Sequence, residues 1–234
     1  MARRRSAGKL LLTILSAWAI ADVAAAAKVY RQEFPNDKGE GLQEIGWDDS
    51  HIGGNGNTAG VSKNDAGVQY LWWYNATGLN PATTVTAACV TSKLPPLPAS
   101  TPELTFSWEQ RLENQKDDND TDVAGTPAEL RLAVEVGGKW YASEAAFQTT
   151  PAGVTSSGKW DAQKITFDPA AKNWREVTLA GEGAKLGGAP ASDLSGDLSG
   201  VGFAATFAQH QTVNVHFLEI DAAAAPAASE QKMK

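Results

Sequence analysis

The feature that most constrains this chain is an alternation of apolar and polar side chains with a period of two residues. It runs through residues 104–112, 129–136 and 213–221, where leucine, valine, phenylalanine or tryptophan fills most of the alternate positions. Successive side chains of a β-strand point to opposite faces, so this pattern is typical of strands with one buried and one solvated face.

Shorter segments with the same character are separated by breaks rich in glycine, asparagine and proline. We expect further strands at residues 29–34, 42–47, 68–74, 84–91, 139–142, 164–167, 174–179 and 201–207. The pair Gly137 and Gly138 predicts a hairpin turn. No window has a long helical period, so the pattern favours an all-β, antiparallel β-sandwich of jelly-roll type over a parallel α/β sheet.

The first 27 residues have the three parts of a secretory signal peptide. Basic residues at positions 3, 4, 5 and 9 precede an apolar run at residues 10–20, and alanines follow at 24–27. The run is shorter than the roughly 20 residues of a membrane span, which favours a cleaved leader over an uncleaved anchor. We expect a signal peptide at 1–27, a β-sandwich domain at 28–221, a flexible alanine-rich tail at 222–234, and a secreted protein, periplasmic or extracellular.

The charge balance limits the partners of the mature chain. The sequence has 20 basic and 27 acidic residues, and the first 27 positions hold four of the basic and one of the acidic ones, which leaves a formal net charge of −10. Such a surface repels phosphate backbones, so nucleic acid is not an expected partner. Neutral sugars and divalent cations remain compatible with it.

Cysteine usage indicates a domain that needs no internal disulfide. Cys89 is the single cysteine of the chain, and its neighbours are small or apolar residues such as Ala87, Ala88 and Val90. This setting predicts a buried core thiol rather than a catalytic one, because reactive thiols need an electropositive, partly exposed environment.

Tryptophans are the candidates for ligand contacts, since indole faces stack on the apolar faces of sugar rings. Trp108 lies on an apolar strand face and is expected in the core. Trp72 and Trp73 are adjacent, so in a strand one of them faces outward. Trp140 and Tyr141 present the same alternative. These two pairs are the predicted sugar-stacking positions, with burial beneath loops as the competing interpretation.

Two carboxylates near the chain ends suggest a calcium site. Glu33 lies in the first predicted strand and Asp221 at the end of the last one. The terminal strands of a jelly roll often pair, which would bring these groups together, and Ca²⁺ prefers carboxylate and carbonyl oxygens. The alternative is that the two carboxylates are independent and solvated, because Ca²⁺ takes six to eight ligands and the sequence indicates only these two.

A second calcium candidate is an acidic loop in which Asp118, Asp120 and Asp122 alternate. The spacing matches the start of an EF-hand loop, and Glu129 is the twelfth residue counted from Asp118. However, Val123 occupies the position where that motif needs glycine. A simple solvated acidic loop is therefore the competing interpretation.

The sequence has no compact catalytic motif. There is no HExxH, GxSxG, phosphate-binding loop or dinucleotide fingerprint, and the three histidines are His51, His210 and His216. Glu109 and Glu113 would share a strand face about 13 Å apart, which is too far for glycoside hydrolysis. Triads or carboxylate pairs assembled from distant positions stay open.

The two ends of the mature chain resemble galactose-binding-like jelly rolls, which include many carbohydrate-binding modules. The resemblance lies in VYRQEFPND and GLQEIGW near the start and in SGVGFAATFAQHQTVNVHFLEIDA near the end. It implies a structural Ca²⁺ held by an acidic residue of the first strand and an Asp of the last, here Glu33 and Asp221. The central GGKWYASEAAF is similar to a hairpin of concanavalin-like and laminin-G-like sandwiches.

Together these observations predict a secreted, non-catalytic jelly-roll module that binds a polysaccharide or another glycan. A structural or adhesive envelope protein and a polysaccharide lyase or glycoside hydrolase on the same scaffold are the alternatives. Exposed coplanar indoles would favour the glycan-binding module. A cleft with convergent carboxylates, or a Tyr-His-Arg cluster, would favour an enzyme.

Overall fold

The computed structural model describes residues 26–36, 39, 41–52, 57–75, 84–98, 101, 103–114, 128–147, 160–181, 183–208 and 211–223. Their strands are β1 (Ala27–Gln32), β2 (Asp48–His51), β3 (Asn57–Lys63), β4 (Gln69–Asn75), β5 (Val85–Thr91), β6 (Leu97–Pro98), β7 (Thr105–Asn114), β8 (Glu129–Val136), β9 (Lys139–Ser143), β10 (Asp161–Thr166), β11 (Trp174–Ala180), β12 (Gly183–Leu186), β13 (Asp197–Phe207) and β14 (Gln211–Ala222). A single 3₁₀ turn in this part of the chain spans Ala171–Asn173.

The strands form two antiparallel sheets. The front sheet has the order β10-β7-β14-β4-β3, with β1 pairing the second half of β14. The back sheet has the order β12-β11-β9-β8-β13-β5-β2, with β6 pairing β13. The chain crosses repeatedly from one sheet to the other, and its first described strand pairs with its last. The predicted antiparallel β-sandwich of jelly-roll type is therefore confirmed.

Most of the predicted strands are present, but residues 42–47 are a turn. The backbone N–H of Trp47 donates to the carbonyl of Leu42 at 2.9 Å, and that of Gly46 to Gln43 at 3.0 Å. Gly46 has a φ of 85°, which glycine adopts without a steric penalty. Leu42 and Trp47 are nevertheless buried, so the apolar spacing that suggested a strand reflects a turn packed onto the core.

Aromatic side chains from both sheets meet in the core. Trp108 on β7 contacts Phe203 on β13 with ring centroids 5.5 Å apart, and Phe147 at 4.8 Å with an interplanar angle of 86°. The indole N–H of Trp108 donates to Oε1 of Gln110 at 2.9 Å, which satisfies it inside the core. The predicted burial of Trp108 is confirmed.

Cys89 is fully buried on β5, also as predicted. Desolvation holds the pKa of its thiol well above the ordinary value. The thiolate that nucleophilic chemistry requires is therefore disfavoured at this position. Within the described residues, no helix is long and apolar enough to cross a membrane.

Candidate functional site

The outward face of the front sheet carries the candidate site. On β7 the side chains of Phe106, Trp108 and Gln110 point into the sandwich and are buried. Alternation along the strand then directs Glu109 and Arg111 outward. On the neighbouring strand β14, the same rule places Asn214 outward, and it pairs with Arg111 on one side and Trp72 on the other.

Strand β4 lines this face with three aromatic residues. Tyr70, Trp72 and Tyr74 occupy alternate positions and are partly exposed. Trp73 between them points inward and is fully buried. The sequence-based expectation that adjacent Trp72 and Trp73 face opposite sides is confirmed. Neighbouring outward rings on one strand are about 7 Å apart, because each residue rises about 3.4 Å.

Trp160 extends the aromatic surface from the opposite side. Its ring centroid lies 5.7 Å from that of Tyr70 and 5.6 Å from the imidazole of His216. The guanidinium carbon of Arg111 lies 5.1 Å from the Trp160 ring centroid, a cation–π distance. We call Tyr70, Trp72, Tyr74 and Trp160 the aromatic face.

Polar side chains form the floor of a depression in the aromatic face. The depression has a volume of about 250 Å³ and is lined by Ser62, Tyr70, Trp72, Tyr74, Arg111, Thr212 and Asn214. Asn214 is only 2% exposed and donates from Nδ2 to the carbonyl of Arg111 at 3.3 Å. The depression thus combines aromatic walls with hydroxyl, amide and guanidinium groups beneath and beside them.

An irregularity in β14 places His216 at the rim. The pairing of β14 with β7 shifts register between Val215 and Leu218, as in a β-bulge. Bulges redirect side chains and are frequent beside functional sites. Here Nδ1 of His216 lies 2.8 Å from a carboxylate oxygen of Glu109. The adjacent Phe217 packs under the guanidinium of Arg31, at 4.7 Å from the ring centroid.

Gly60 makes room for the indole of Trp72. The two residues pair across β3 and β4. A Cβ atom added to Gly60 would lie 3.1 Å from Cζ2 and 3.2 Å from both Cε2 and Nε1 of Trp72. The indole therefore lies against the backbone of β3, across the surface of the sheet, in the orientation of a platform.

The other predicted ligand contacts divide between core and back sheet. Trp73 is fully buried and Tyr141 is 9% exposed, so the placement of either as a surface stacking platform is wrong. Both lie on the inward side, where the core fills the space between the sheets. Trp140 is partly exposed but lies on β9 of the back sheet. It therefore does not share a site with Trp72.

The expected pairing of the first and last strands is confirmed, but it does not join Glu33 to Asp221. The strands are antiparallel, with Lys28 opposite Asp221 and Gln32 opposite Leu218. Glu33 and Asp221 are thus about four positions apart along the ladder, roughly 13 Å. Glu33 pairs instead with Arg31, whose Nε lies 2.7 Å from its carboxylate. The proposed shared calcium site of Glu33 and Asp221 is wrong because of this register.

Asp118, Asp120 and Asp122 lie outside the described residues, so that calcium site stays a prediction. Within the described part of the chain, no group of three or more His, Cys, Asp or Glu side chains is arranged to hold a metal.

Sequence reasoning missed most of the aromatic face. Tyr70 and Tyr74 flank Trp72 at intervals of two, and this spacing alone could have placed all three on one side of β4. No local signal links Trp160, Arg111 or Asn214 to them. Arg111 and Asn214 join the face through strand pairing over more than 30 positions of sequence. Trp160, just before β10, joins it through its contacts with Tyr70 and Arg111.

A larger cavity of about 550 Å³ borders β9, β10 and the 3₁₀ turn, and three of the residues that line it, Asp168, Asn173 and Trp174, hydrogen-bond within the turn. The Trp174 indole N–H donates to the carbonyl of Asp168 at 2.7 Å. The Asp168 carboxylate accepts from the Ala170 backbone N–H at 3.0 Å and from Nδ2 of Asn173 at 2.8 Å. These bonds hold the turn together, and the cavity is a weaker candidate for ligand binding.

No protein-family model matches the chain, and no curated protein matches it. Among solved structures it is similar to BiXyn10A CBM1 in its apo form, with a TM-score of 0.42 and 12% identity over 83% of this chain and 97% of that one. A candidate sugar-binding protein from Bacteroides thetaiotaomicron has a TM-score of 0.41 and 11% identity, over 72% and 83%. A lectin from Bauhinia forficata in complex with GalNAc has a TM-score of 0.34 and 10% identity, over 83% and 98%. All three TM-scores lie below 0.5.

Proposed function

We propose that this chain is a non-catalytic glycan-binding module, which binds a stretch of neutral polysaccharide across the front sheet. The observation that carries the proposal is the aromatic face, with Trp72 at its centre above a polar floor. Flat aromatic surfaces remove the apolar faces of sugar rings from water, and the flanking polar groups fix their orientation.

The orientation of the rings supports stacking. Trp72 lies against the backbone at Gly60 and remains partly exposed. A sugar ring placed over it would cover an indole face that is now open to water. Tyr70 and Tyr74 continue the same surface in both directions along β4, so the face suits an extended chain of several rings rather than one.

The polar groups of the depression supply both donors and acceptors. Asn214 offers an amide from a nearly buried position, and Arg111 offers guanidinium N–H groups beside it. Ser62 adds a hydroxyl at the edge of the same depression. Sugar hydroxyls both donate and accept, so this mixed set suits them better than it suits a purely apolar ligand.

The charge of the chain favours a neutral glycan. The segment that follows the predicted leader has a formal net charge of −10. Long-range repulsion slows and weakens the association of polyanions with such a surface. The proposed partner is therefore a neutral polysaccharide. The proposal also includes export from the cytoplasm, on the signal-peptide pattern of residues 1–27, and a structural Ca²⁺ at Asp118, Asp120 and Asp122.

The test is the substitution Trp72→Ala, assayed by calorimetric titration and affinity electrophoresis with a panel of neutral polysaccharides. Stacking covers the exposed part of the indole and the facing apolar side of the sugar ring, together about 80–100 Å² of apolar surface, which is worth about 2 kcal/mol. We expect at least one polysaccharide to bind the wild type and to bind Trp72→Ala about 30-fold more weakly.

Thr178→Ala is the control, because this exposed residue lies on β11 of the back sheet, does not line the depression and does not pair with Trp140. It should bind as the wild type does. If no polysaccharide binds the wild type, or if both variants lose affinity equally, the proposal fails. The structural or adhesive role then becomes the better explanation.

One observation favours a second candidate function, a polysaccharide lyase. Tyr70, His216 and Arg111 all lie around Trp160 on the front sheet. Lyase chemistry needs a base to remove a proton beside a uronate carboxylate, a cation to neutralise that carboxylate, and an acid for the leaving oxygen. A tyrosine, a histidine and an arginine could divide these roles.

Two features weaken the lyase alternative. The indole of Trp160 occupies the space among the three groups, at 5.1 to 5.7 Å from each. A uronate polymer is also a polyanion, which the acidic chain repels. Incubation with uronate-containing polymers distinguishes a lyase from a non-catalytic module, because elimination creates an unsaturated product that absorbs in the ultraviolet. Such a product, lost in His216→Ala, would replace the binding function with the enzymatic one.

A further inference from the structure

Trp140 belongs to a second concave surface, on the back sheet. A cavity of about 330 Å³ is lined there by Trp140, Leu179 and Val90, with Asp48, His51 and Lys93 among the polar residues around them. We propose that this cavity, the back pocket, is a second and independent binding site that holds the terminal pyranose residue of a glycan. It lies on the other sheet from the aromatic face and does not depend on the function proposed for that face.

The back pocket exists because the back sheet curls over its own outward side. Strand β12 packs against β5, although β11, β9, β8 and β13 separate them in the sheet order. A small apolar cluster of Ala88, Val90 and Ala133 fills the inside of the curl, with Trp140 and Leu179 packed against it. Only small residues leave room for such a fold-back, and these positions hold alanine and valine.

A hydrogen bond closes one side of the back pocket. Nδ1 of His51 on β2 lies 2.9 Å from the backbone carbonyl oxygen of Ala180 at the end of β11. This contact joins β2 and β11, which lie at or near opposite edges of the back sheet. A long glycan chain can lie across the open aromatic face, but it would meet this closure in the back pocket. The geometry therefore favours a chain end.

Two glycines shape the walls. A Cβ on Gly200 would lie 2.8 Å from Cη2 of Trp140, so the indole rests directly over that glycine. A Cβ on Gly46 would lie 2.8 Å from Nζ and 2.9 Å from Cδ of Lys93, so the lysine stem lies along the Gly46 backbone. Trp140 remains partly exposed, which leaves part of its surface for a ligand.

The polar groups around the back pocket can recognise hydroxyls. The Ser50 backbone N–H donates to Oδ1 of Asp48 at 2.8 Å, and Nε2 of His51 lies 3.5 Å from Oδ2. Partial burial acts to raise the pKa of Asp48, but bonds from the Ser50 side chain and backbone and the nearby His51 together lower it. Asp48 is thus an ionised acceptor, while Lys93 is a donor.

An indole with a carboxylate and an ammonium group near it matches a ring that has one apolar face and several hydroxyls. The volume lies at the lower end of the range for small-molecule pockets, which suits one sugar ring better than several. A single ring on one indole implies weak binding, with a Kd on the order of 1 mM.

The experiment follows the indole N–H signals of the whole domain by ¹⁵N NMR. The probes are the methyl glycosides of glucose, galactose, mannose, xylose and N-acetylglucosamine. We expect at least one of them to shift the Trp140 signal saturably, in the wild type and equally in Trp72→Ala. Persistence in Trp72→Ala separates this site from the aromatic face, whose own test uses polysaccharides.

Asp48→Asn should weaken that binding at least about tenfold, because a charged hydrogen-bond acceptor is lost. Lys93→Gln, at an exposed position, should weaken it without affecting the fold. Asp49→Asn is the matched control, since it removes the same charge at the next residue and Asp49 does not line the back pocket. The proposal is overturned if no glycoside shifts the Trp140 signal, if the shift disappears in Trp72→Ala, or if Asp49→Asn weakens binding as much as Asp48→Asn.

Discussion

The contact between Gly60 and Trp72 allows glycan affinity to be changed without removing the aromatic ring. In Gly60→Ala the new Cβ would approach three indole atoms to 3.1 or 3.2 Å. Carbon atoms at optimal contact are about 3.5–4.0 Å apart, so the indole has to move outward by roughly half an ångström. Trp72 is partly exposed and can tilt away from the sheet.

The expected effect on folding is small. Glycine inside a strand costs about 0.5–1 kcal/mol relative to alanine, and this gain offsets the cost of tilting the indole. We expect the unfolding free energy of Gly60→Ala to stay within about 1 kcal/mol of the wild type. That corresponds to a Tm change of no more than a few degrees for a domain of this size.

We expect Gly60→Ala to remove a larger fraction of the glycan-binding free energy than of the unfolding free energy. The polar groups of the depression fix the position of the sugar, so a displaced and tilted indole no longer lies flat against it. A gap of 0.5–1 Å over part of the stacked surface forfeits about a quarter to a half of the dispersion energy of those contacts. Applied to the roughly 2 kcal/mol assigned to stacking on Trp72, this is about 0.5–1 kcal/mol. Gly60→Ala should therefore bind its polysaccharide about two- to fivefold more weakly in calorimetric titration.

The control is a double-mutant cycle with Trp72→Ala. If Gly60→Ala acts only through the indole, it should cause no further loss of affinity when the indole is already absent. Unchanged affinity in Gly60→Ala, beside a clear loss in Trp72→Ala, would refute the inference that the seating of the ring on β3 matters. An equal loss in both tryptophan backgrounds would point to a change in the sheet instead.

Two further predictions concern stability. Trp108→Ala should lower the unfolding free energy by about 3–5 kcal/mol, because it leaves a cavity between the sheets and an unpaired Gln110 oxygen; a loss below about 1 kcal/mol in urea unfolding would contradict this core assignment. Oε2 of Glu219 lies 2.6 Å from Nζ of Lys28 and 2.5 Å from Nη1 of Arg31. The bond from Lys28, and after it the bond from Arg31, lower the pKa of Glu219, although desolvation acts to raise it. Its contribution is present above the ordinary glutamate pKa and is lost as the pH falls through the lowered one. Glu219→Gln should therefore be less stable than wild type at neutral pH and equally stable in acid; a difference that persists in acid would show another cause.

The inward side of β7 and the alternation of β4 could be predicted from the sequence, because side-chain direction in a strand depends only on the parity of position. For Trp108 this parity correctly indicated the inward face. For Trp72 and Trp73 it correctly indicated opposite faces. It could not indicate which of the two faced outward, because that depends on which side of β4 the other sheet covers.

The calcium prediction at Glu33 and Asp221 illustrates a different limit. The sequence suggested that the first and last strands pair, and they do. Whether two residues on paired strands meet depends on direction and register, which arise from contacts distant in sequence. The antiparallel register places Lys28 opposite Asp221 and leaves Glu33 beside Arg31.

The sequence by itself determined the class of fold, the burial of Cys89 and the exposure of one of two adjacent indoles, because local periodicity and composition control these properties. Only the tertiary structure decided where the candidate sites lie. Strand order brought Arg111 and Asn214 beside Trp72 and Trp160 beside Tyr70. The curl of the back sheet placed Trp140 in one cavity with Asp48 and Lys93. The physical reason is that a binding surface on a sheet is assembled across strands, whereas periodicity reports only on the direction along one strand.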